Sequence, residues 1–222
     1  MTHQKSGKSK LAQMKIFIVD DHPLMREGLC GTINREPDMM VCGEAENAQQ
    51  ALTAIPTLMP DLALVDITLP GKSGLELVKD LSALRLPLKI LAISMHDEAL
   101  YAERMLRGGA SGYITKQQPP AELIRAIRQV MSNRIYVSKE VSDSVLRRFS
   151  GHAQENQSPM EILTDREFEI FQLLGKGAAA KEISGRLHVS AKTVAVHNAN
   201  IRRKLNLENT SQLIRFAVQW EK

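Results

Sequence analysis

Five apolar runs of strand length recur between residues 15 and 133, and a stretch of helical spacing follows each one. The runs are KIFIV (15–19), MVCGEA (40–45), LALVD (62–66), LKILAIS (88–94) and SGYIT (111–115). The helical stretches fall at 23–36, 47–57, 74–84, 98–108 and 119–132. Several of the runs are continuously apolar rather than alternating, which marks strands buried on both faces of a sheet. Strand–helix alternation of this length predicts an α/β doubly wound, five-stranded parallel sheet of flavodoxin-like type, with right-handed crossovers. In such a sheet, ligands bind beyond the carboxyl ends of the strands.

The polar residues at those ends fall into a pattern. Asp20 and Asp21 follow the first run, Asp66 ends the third, Ser94 the fourth, and Thr115-Lys116 the fifth. One Asp at a strand end is ordinary turn chemistry. Adjacent carboxylates repel each other, so a pair facing a third acid calls for a cation. Three carboxylates suit a hard divalent ion, of which Mg²⁺ fits best because it takes oxygen ligands and keeps waters open for phosphate. The tripeptide Gly71-Lys72-Ser73 imitates the end of a P-loop, but the glycine that motif needs upstream falls on Asp66, so nucleotide binding gains little support.

Charge divides the chain of 222 residues. Residues 1–14 form a basic tail without an apolar core, read as flexible; residues 15–133 carry net −3 and residues 159–222 net +3. An acidic front and a basic back imply two domains with different partners. Two cysteines without metal-type spacing, no signal-like segment and no membrane-length apolar run point to the cytoplasm.

The segments VDDHPL, LVDITLPGKSGLEL, AIS and GYITK resemble the signature stretches of response-regulator receiver domains across 15–133. The resemblance implies that Asp66 accepts a phosphoryl group from a phosphohistidine of a sensor histidine kinase. It implies Mg²⁺ held by Asp20, Asp21, Asp66 and the backbone carbonyl of Thr68. It also implies that Ser94 and Lys116 hold the phosphoryl oxygens, and that Ser94 and Tyr113 act as switch residues. Leu69 departs from the commoner Met, both being apolar. Tyr113 judged alone is core packing, and His22 and His96 read as surface or loop residues near the site.

Residues 134–149 carry a helical pattern from about Lys139, and SGHAQENQSPM (150–160) reads as a tether, so residues 134–158 form the linker. From Leu163 the spacing is helical throughout. Thr164 and Glu167 have capping-box spacing ahead of a stripe of Phe168, Phe171 and Leu174. Helices are predicted at 179–187, 191–205 and 211–220, with Ser190 capping the third helix of this domain and Val194, His197, Ile201 and Leu205 on one of its faces. A short helix, a turn and a second helix is the helix-turn-helix arrangement of a small all-α domain over 159–222.

The stretch LTDREFEIFQLLGKG…KEISGRLHVSAKTVAVHNANIRRKL resembles the LuxR-type DNA-binding domain of the NarL/FixJ regulators. That implies contacts to double-stranded DNA from Lys192, Thr193, Ala195, Val196, Asn198, Ala199, Asn200, Arg202 and Arg203. Ala195 and Ala199 lack the polar side chains common there, and Asn198 stands where a basic residue is common. Direct readout then falls to thymine methyls at Ala195 and Val196 and polar contacts from Asn198 or Asn200, while Lys192, Arg202 and Arg203 reach phosphate.

The leading expectation is a two-component regulator of transcription, not an enzyme, whose phosphorylation switches homodimerisation and DNA binding. A phosphotransfer or protein-interaction module with weak DNA binding is the alternative. A phosphatase-like hydrolase is weaker, because that fold expects further catalytic acids beside its nucleophile.

Overall fold

The computed structural model describes residues 13–95, 98–139, 141–143 and 162–220. The expected tail up to residue 12, His96, the tether and most of the linker helix lie outside these residues. Strands β1 (Met14–Val19), β2 (Met39–Ala45), β3 (Leu62–Asp66), β4 (Lys89–Ser94) and β5 (Gly112–Thr115) alternate with helices α1 (Pro23–Ile33), α2 (Ala48–Leu58), α3 (Gly74–Ala83), α4 (Glu98–Gly108) and α5 (Pro120–Met131). The first strand starts at Met14, one residue inside the expected tail, because Met14 N–H reaches the Asp38 carbonyl at 2.9 Å.

All strands are parallel, in the order β2-β1-β3-β4-β5. The chain reverses its direction of winding between β1 and β3, so the crevice of this sheet opens at their carboxyl ends. Val19 pairs with Val65, which sets Asp20 and Asp66 side by side just beyond. Ser94 pairs with Thr115, and Lys116 N–H donates to the Ser94 carbonyl at 2.7 Å.

Strand alternation splits the core. Phe17, Val19, Ala63, Val65, Ala92 and Tyr113 face one side of the sheet, and Ile16, Ile18, Leu64, Leu91, Ile93 and Ile114 the other. Each such aliphatic side chain removed from water contributes about 1.5–3 kcal/mol. After α5 the chain returns beside β5, where Tyr113 N–H donates to the Tyr136 carbonyl at 2.7 Å.

Among the described residues the second unit has four helices: α6 (Asp165–Gly175), α7 (Ala180–Arg186), α8 (Ala191–Lys204) and α9 (Thr210–Trp220). Thr164 and Glu167 form the capping box at the start of α6. Ser190 Oγ accepts from Thr193 N–H at the start of α8, after a turn in which His188 takes a left-handed φ of 50°. Phe168, Phe171, Ile183, Val194, Ile201 and Leu213 make its core. Ten of the eleven α6 residues are buried, including Asp165, Arg166, Glu167, Glu169 and Gln172. An amphipathic stripe of three does not predict this. The charged side of α6 lies against the first domain.

Gly74, the first residue of α3, packs against the backbone of Asp66. A Cβ there would lie 1.9 Å from the Asp66 carbonyl oxygen and 2.7 Å from Ile67 Cα. Backbone atoms cannot yield as a side chain would, so Gly74→Ala should destabilise this domain by at least about 2 kcal/mol. A lowered denaturant midpoint checks it; an unchanged midpoint would mean that the loop absorbs the methyl group freely.

Candidate functional site

The carboxyl edge of the sheet gathers the expected groups. Asp66 is 2% exposed, and its Oδ2 lies 2.7 Å from Lys116 Nζ. The same ammonium lies 2.7 Å from Oδ2 of the fully buried Asp20. Asp66 Oδ1 accepts from Thr68 N–H at 3.3 Å, and Asp20 Oδ1 from His22 N–H at 2.8 Å. Arg26 Nη1 donates to the Asp20 carbonyl at 2.6 Å and pairs with Glu46 at 3.0 Å, which fixes the end of β1 against the start of α2.

Burial pushes the Asp66 carboxyl up to about 6; Lys116 opposes that rise and Asp20 adds to it. The group is therefore still ionised at neutral pH. Burial by itself would lower Lys116, but Asp66 and Asp20 outweigh it and hold the ammonium above its ordinary range.

Asp20, Asp21, His22 and Asp66 each place one ligand atom within 4.8 Å of the others. Asp21 Oδ1 faces His22 Nδ1 at 2.7 Å, at the solvent side of the group. The acidic triad thus forms a candidate divalent-metal site beside the Asp66 oxygens. Ser94 is fully buried at the end of β4, and the Tyr113 ring is fully buried on the neighbouring strand. The structure brings Lys116 and all three acids together; Ser94 and Tyr113 join them by strand register.

Helix α8, which carries the residues expected to contact DNA, divides in two. Lys192, Ala195, Ala199 and Arg203 are exposed, and Val196 is 52% exposed, an apolar side chain facing solvent on a basic helix. Other candidates have structural work instead. Thr193 pairs with Ser190 in the helix cap. Asn200 Oδ1 accepts from Arg203, and half-buried Arg202 donates to the Glu208 carbonyl at 3.2 Å. Lys204, the last residue of α8, reaches Glu167 at 2.6 Å inside its own domain. Asn198 is half-buried.

The sequence did not disclose the contact between the two domains. Arg104 on α4 donates to Asp165 Oδ1 and to the Leu163 carbonyl, both at 2.9 Å, and its guanidinium lies 4.3 Å from the Phe168 ring centroid. Lys79 reaches the other Asp165 oxygen at 2.6 Å, and Tyr101 meets Phe168 edge-on. Arg166 donates to the Gly71 carbonyl in the loop after Asp66, to the Leu187 carbonyl, and to Glu169. Burial pushes Glu169 up to about 7, against the Arg166 charge. His188 Nε2, in the turn before α8, lies 3.8 Å from Asp21. Lone basic residues inside helices carry no sequence signal for such pairing.

Residues 16–128 match the response regulator receiver domain, and residues 161–217 match the bacterial regulatory proteins of the luxR family. The chain belongs to the two-component response regulators that join a receiver to a LuxR-type DNA-binding domain; these are regulators of transcription and not enzymes. Among its relatives, the oxygen regulatory protein NreC of Staphylococcus epidermidis is 35% identical over 93% of this chain and 97% of its own. The NreC protein of Staphylococcus carnosus matches equally well, at 35% over the same shares. Among solved structures, the response regulator ChrA of a heme-sensing system is 28% identical with a TM-score of 0.51, over 95% of this chain and 99% of its own. The receiver domain of the putative response regulator NarL from Mycobacterium tuberculosis is 32% identical with a TM-score of 0.53, over 55% of this chain and 99% of its own. No helix among the described residues is long and apolar enough to cross a membrane.

Arg104 reaches Asp165, the Leu163 carbonyl and the Phe168 ring together, so its removal opens three contacts of the interface at once and leaves Asp165 to Lys79 alone. Arg104→Ala should weaken domain association by about 3 kcal/mol. Small-angle scattering should show a larger radius of gyration for the variant; an unchanged radius would place the holding force elsewhere.

Proposed function

We propose that Asp66 is the phosphoacceptor of this regulator and that its phosphorylation releases the DNA-binding domain held against the receiver. The observation that carries this is Asp66 itself, a carboxylate buried at the switch point of the sheet and paired to Lys116. One Asp66 oxygen attacks the phosphorus of a kinase phosphohistidine. The O–P bond forms, the P–N bond breaks, and the histidine leaves with its electron pair. Lys116 lies where it can follow the phosphoryl oxygens once Asp66 no longer offers it a free carboxylate, and the Ser94 hydroxyl is the neutral donor from the adjacent strand. Asp20, Asp21, Asp66 and the Thr68 carbonyl would hold Mg²⁺, which when bound offsets the negative charge that collects on phosphoryl transfer.

Charge added at Asp66 acts on the loop that carries Thr68 and Gly71, and Gly71 is the residue that Arg166 grips from the second domain. A shift there biases the interdomain contact, with Ser94 and Tyr113 repacking as the switch. We assign residues 15–133 to the receiver, 134–158 to the linker and 159–222 to the DNA-binding domain, acting in the cytoplasm as a homodimer on DNA once phosphorylated. Incubation with phosphoramidate and Mg²⁺ should add one phosphoryl group to the wild type and none to Asp66→Asn. Undiminished labelling of that variant would sink the assignment.

Exposed Lys192 and Arg203 serve phosphate, and exposed Val196 with Ala195 and Ala199 offers an apolar surface to thymine methyls. Binding should therefore be steeply salt-dependent with modest discrimination at each base. Lys192→Ala should weaken binding to every duplex alike, whereas Val196→Ala should relax the preference at one thymine position, by about 1 kcal/mol or more. Titrations against operator and scrambled duplexes at several salt concentrations separate the two. Ala195 and Ala199 also favour a second reading, an interaction module; loss of all salt-sensitive binding would move the assignment there.

A further inference from the structure

Three acids converge where the two domains meet, and their charges are not equally matched. Asp165 has Lys79 and Arg104 on its two oxygens, and Glu76 of α3 accepts from Ser73 N–H in the capping box of that helix. Glu169, one turn along α6 from Asp165, is 5% exposed and pairs with Arg166 at 2.7 Å. That guanidinium is shared, since it also donates to the carbonyls of Gly71 and Leu187. Glu76 from the receiver and Asp165 from its own helix both act on the Glu169 carboxyl as like charges. Tyr101 of α4, Lys176 after α6 and Arg186 of α7 line a space of about 60 Å³ beside it, and Arg186 pairs with Glu182. His197 of α8 faces Glu76, Glu167 and Arg166 from the other side.

An ionised carboxylate held away from water beside two other acids is costly, and a proton on it removes that cost. Separation of the domains removes it as well. The receiver supplies Glu76 and the Tyr101 side of the cover, so undocking takes away a like charge and returns the carboxylate to water. The two remedies compete, which couples the position of the domain to the protonation of one side chain.

We propose that docking is proton-linked through Glu169: its carboxyl takes up one proton from solvent as the DNA-binding domain closes on the receiver, so closure strengthens on acidification and loosens as the medium turns alkaline. The proposal rests on the reading that the two domains part to release DNA binding. It adds a second input to that release, with alkaline pH acting in the same direction as phosphorylation. Burial pushes the Glu169 carboxyl of the closed form up to about 7 against Arg166, with Glu76 and Asp165 adding to the rise. In water a Glu titrates near about 4.3, so the gain from this group is complete below that pH and is lost as pH rises through the closed-form value. Between pH 6 and pH 8 the ratio of closed to open forms should fall about tenfold.

The test uses the full-length, unphosphorylated chain carrying Arg104→Ala, in which weakened docking populates both forms. Small-angle scattering between pH 6 and pH 8 should show its radius of gyration rising. Adding Glu169→Gln, a near-isosteric change that still accepts from Arg166, should make the fall in the closed-to-open ratio about tenfold smaller. His188, 3.8 Å from Asp21 across the seam, and His197 are present in both chains, so the comparison cancels any charge change at either. Glu76→Gln keeps the capping-box pattern of α3 and removes a like charge, so it should move the transition to lower pH, a result that does not depend on the folding of Glu169→Gln. An equal pH response with and without Glu169, or a transition that Glu76→Gln leaves in place, overturns the proposal while leaving docking standing. A wild-type chain that is extended at pH 6 as at pH 8 overturns the docking itself, and the proposal with it.

Discussion

A single ammonium held between two buried carboxylates organises the receiver. Lys116 closes the distance between Asp20 on one strand and Asp66 on the next, so three strand ends are tied at one point. Two carboxylates this deeply buried repel each other and lose hydration, a cost that the ammonium between them offsets. Burial raises the Asp66 carboxyl to about 6, and the Lys116 charge opposes that rise. The sheet edge thus sets a buried ion pair beside a cluster of acids that could hold a metal. Gly74 allows the following helix to start against the Asp66 backbone, and so fixes where that site lies.

The same edge is where the second domain makes contact. Arg166 takes the carbonyl of Gly71, five residues past Asp66, and also the carbonyl of Leu187, one residue before the turn into α8. A single guanidinium therefore spans from the loop after Asp66 to the lead-in of α8. Arg104 and Lys79 share the two oxygens of Asp165, so that acid is satisfied by receiver cations. Buried pairs of this kind give little net stability, but they are specific, because any displacement leaves a charge unpaired.

Much of this was legible before folding was considered. The strands and helices of the receiver fall within one to three residues of the ranges read from the sequence, because continuous apolar runs and Gly, Pro and Asp punctuation admit few alternatives. The site residues were legible for a related reason: in a parallel sheet, the residue after each strand points to a common edge. The capping box at Thr164 and the Ser190 cap were visible as local patterns, since each depends on residues three apart. The division of labour along α8 was not. Basic residues at a helix end look alike in sequence, and only packing shows that Lys204 and Arg202 bond within the domain whereas Lys192 and Arg203 stay exposed.

The sequence by itself determined the order of elements, the sheet edge on which three acids and a lysine meet, and the helix-turn-helix frame, because each follows from periodicity or strand direction. Only the tertiary structure decided that α6 is buried on its charged side, that Arg104 and Asp165 are partners across 61 positions of chain, and that His22 turns its Nδ1 toward the acids. These depend on where a side chain ends in space once two separate domains have packed. A pattern of residue types carries no information about that distance.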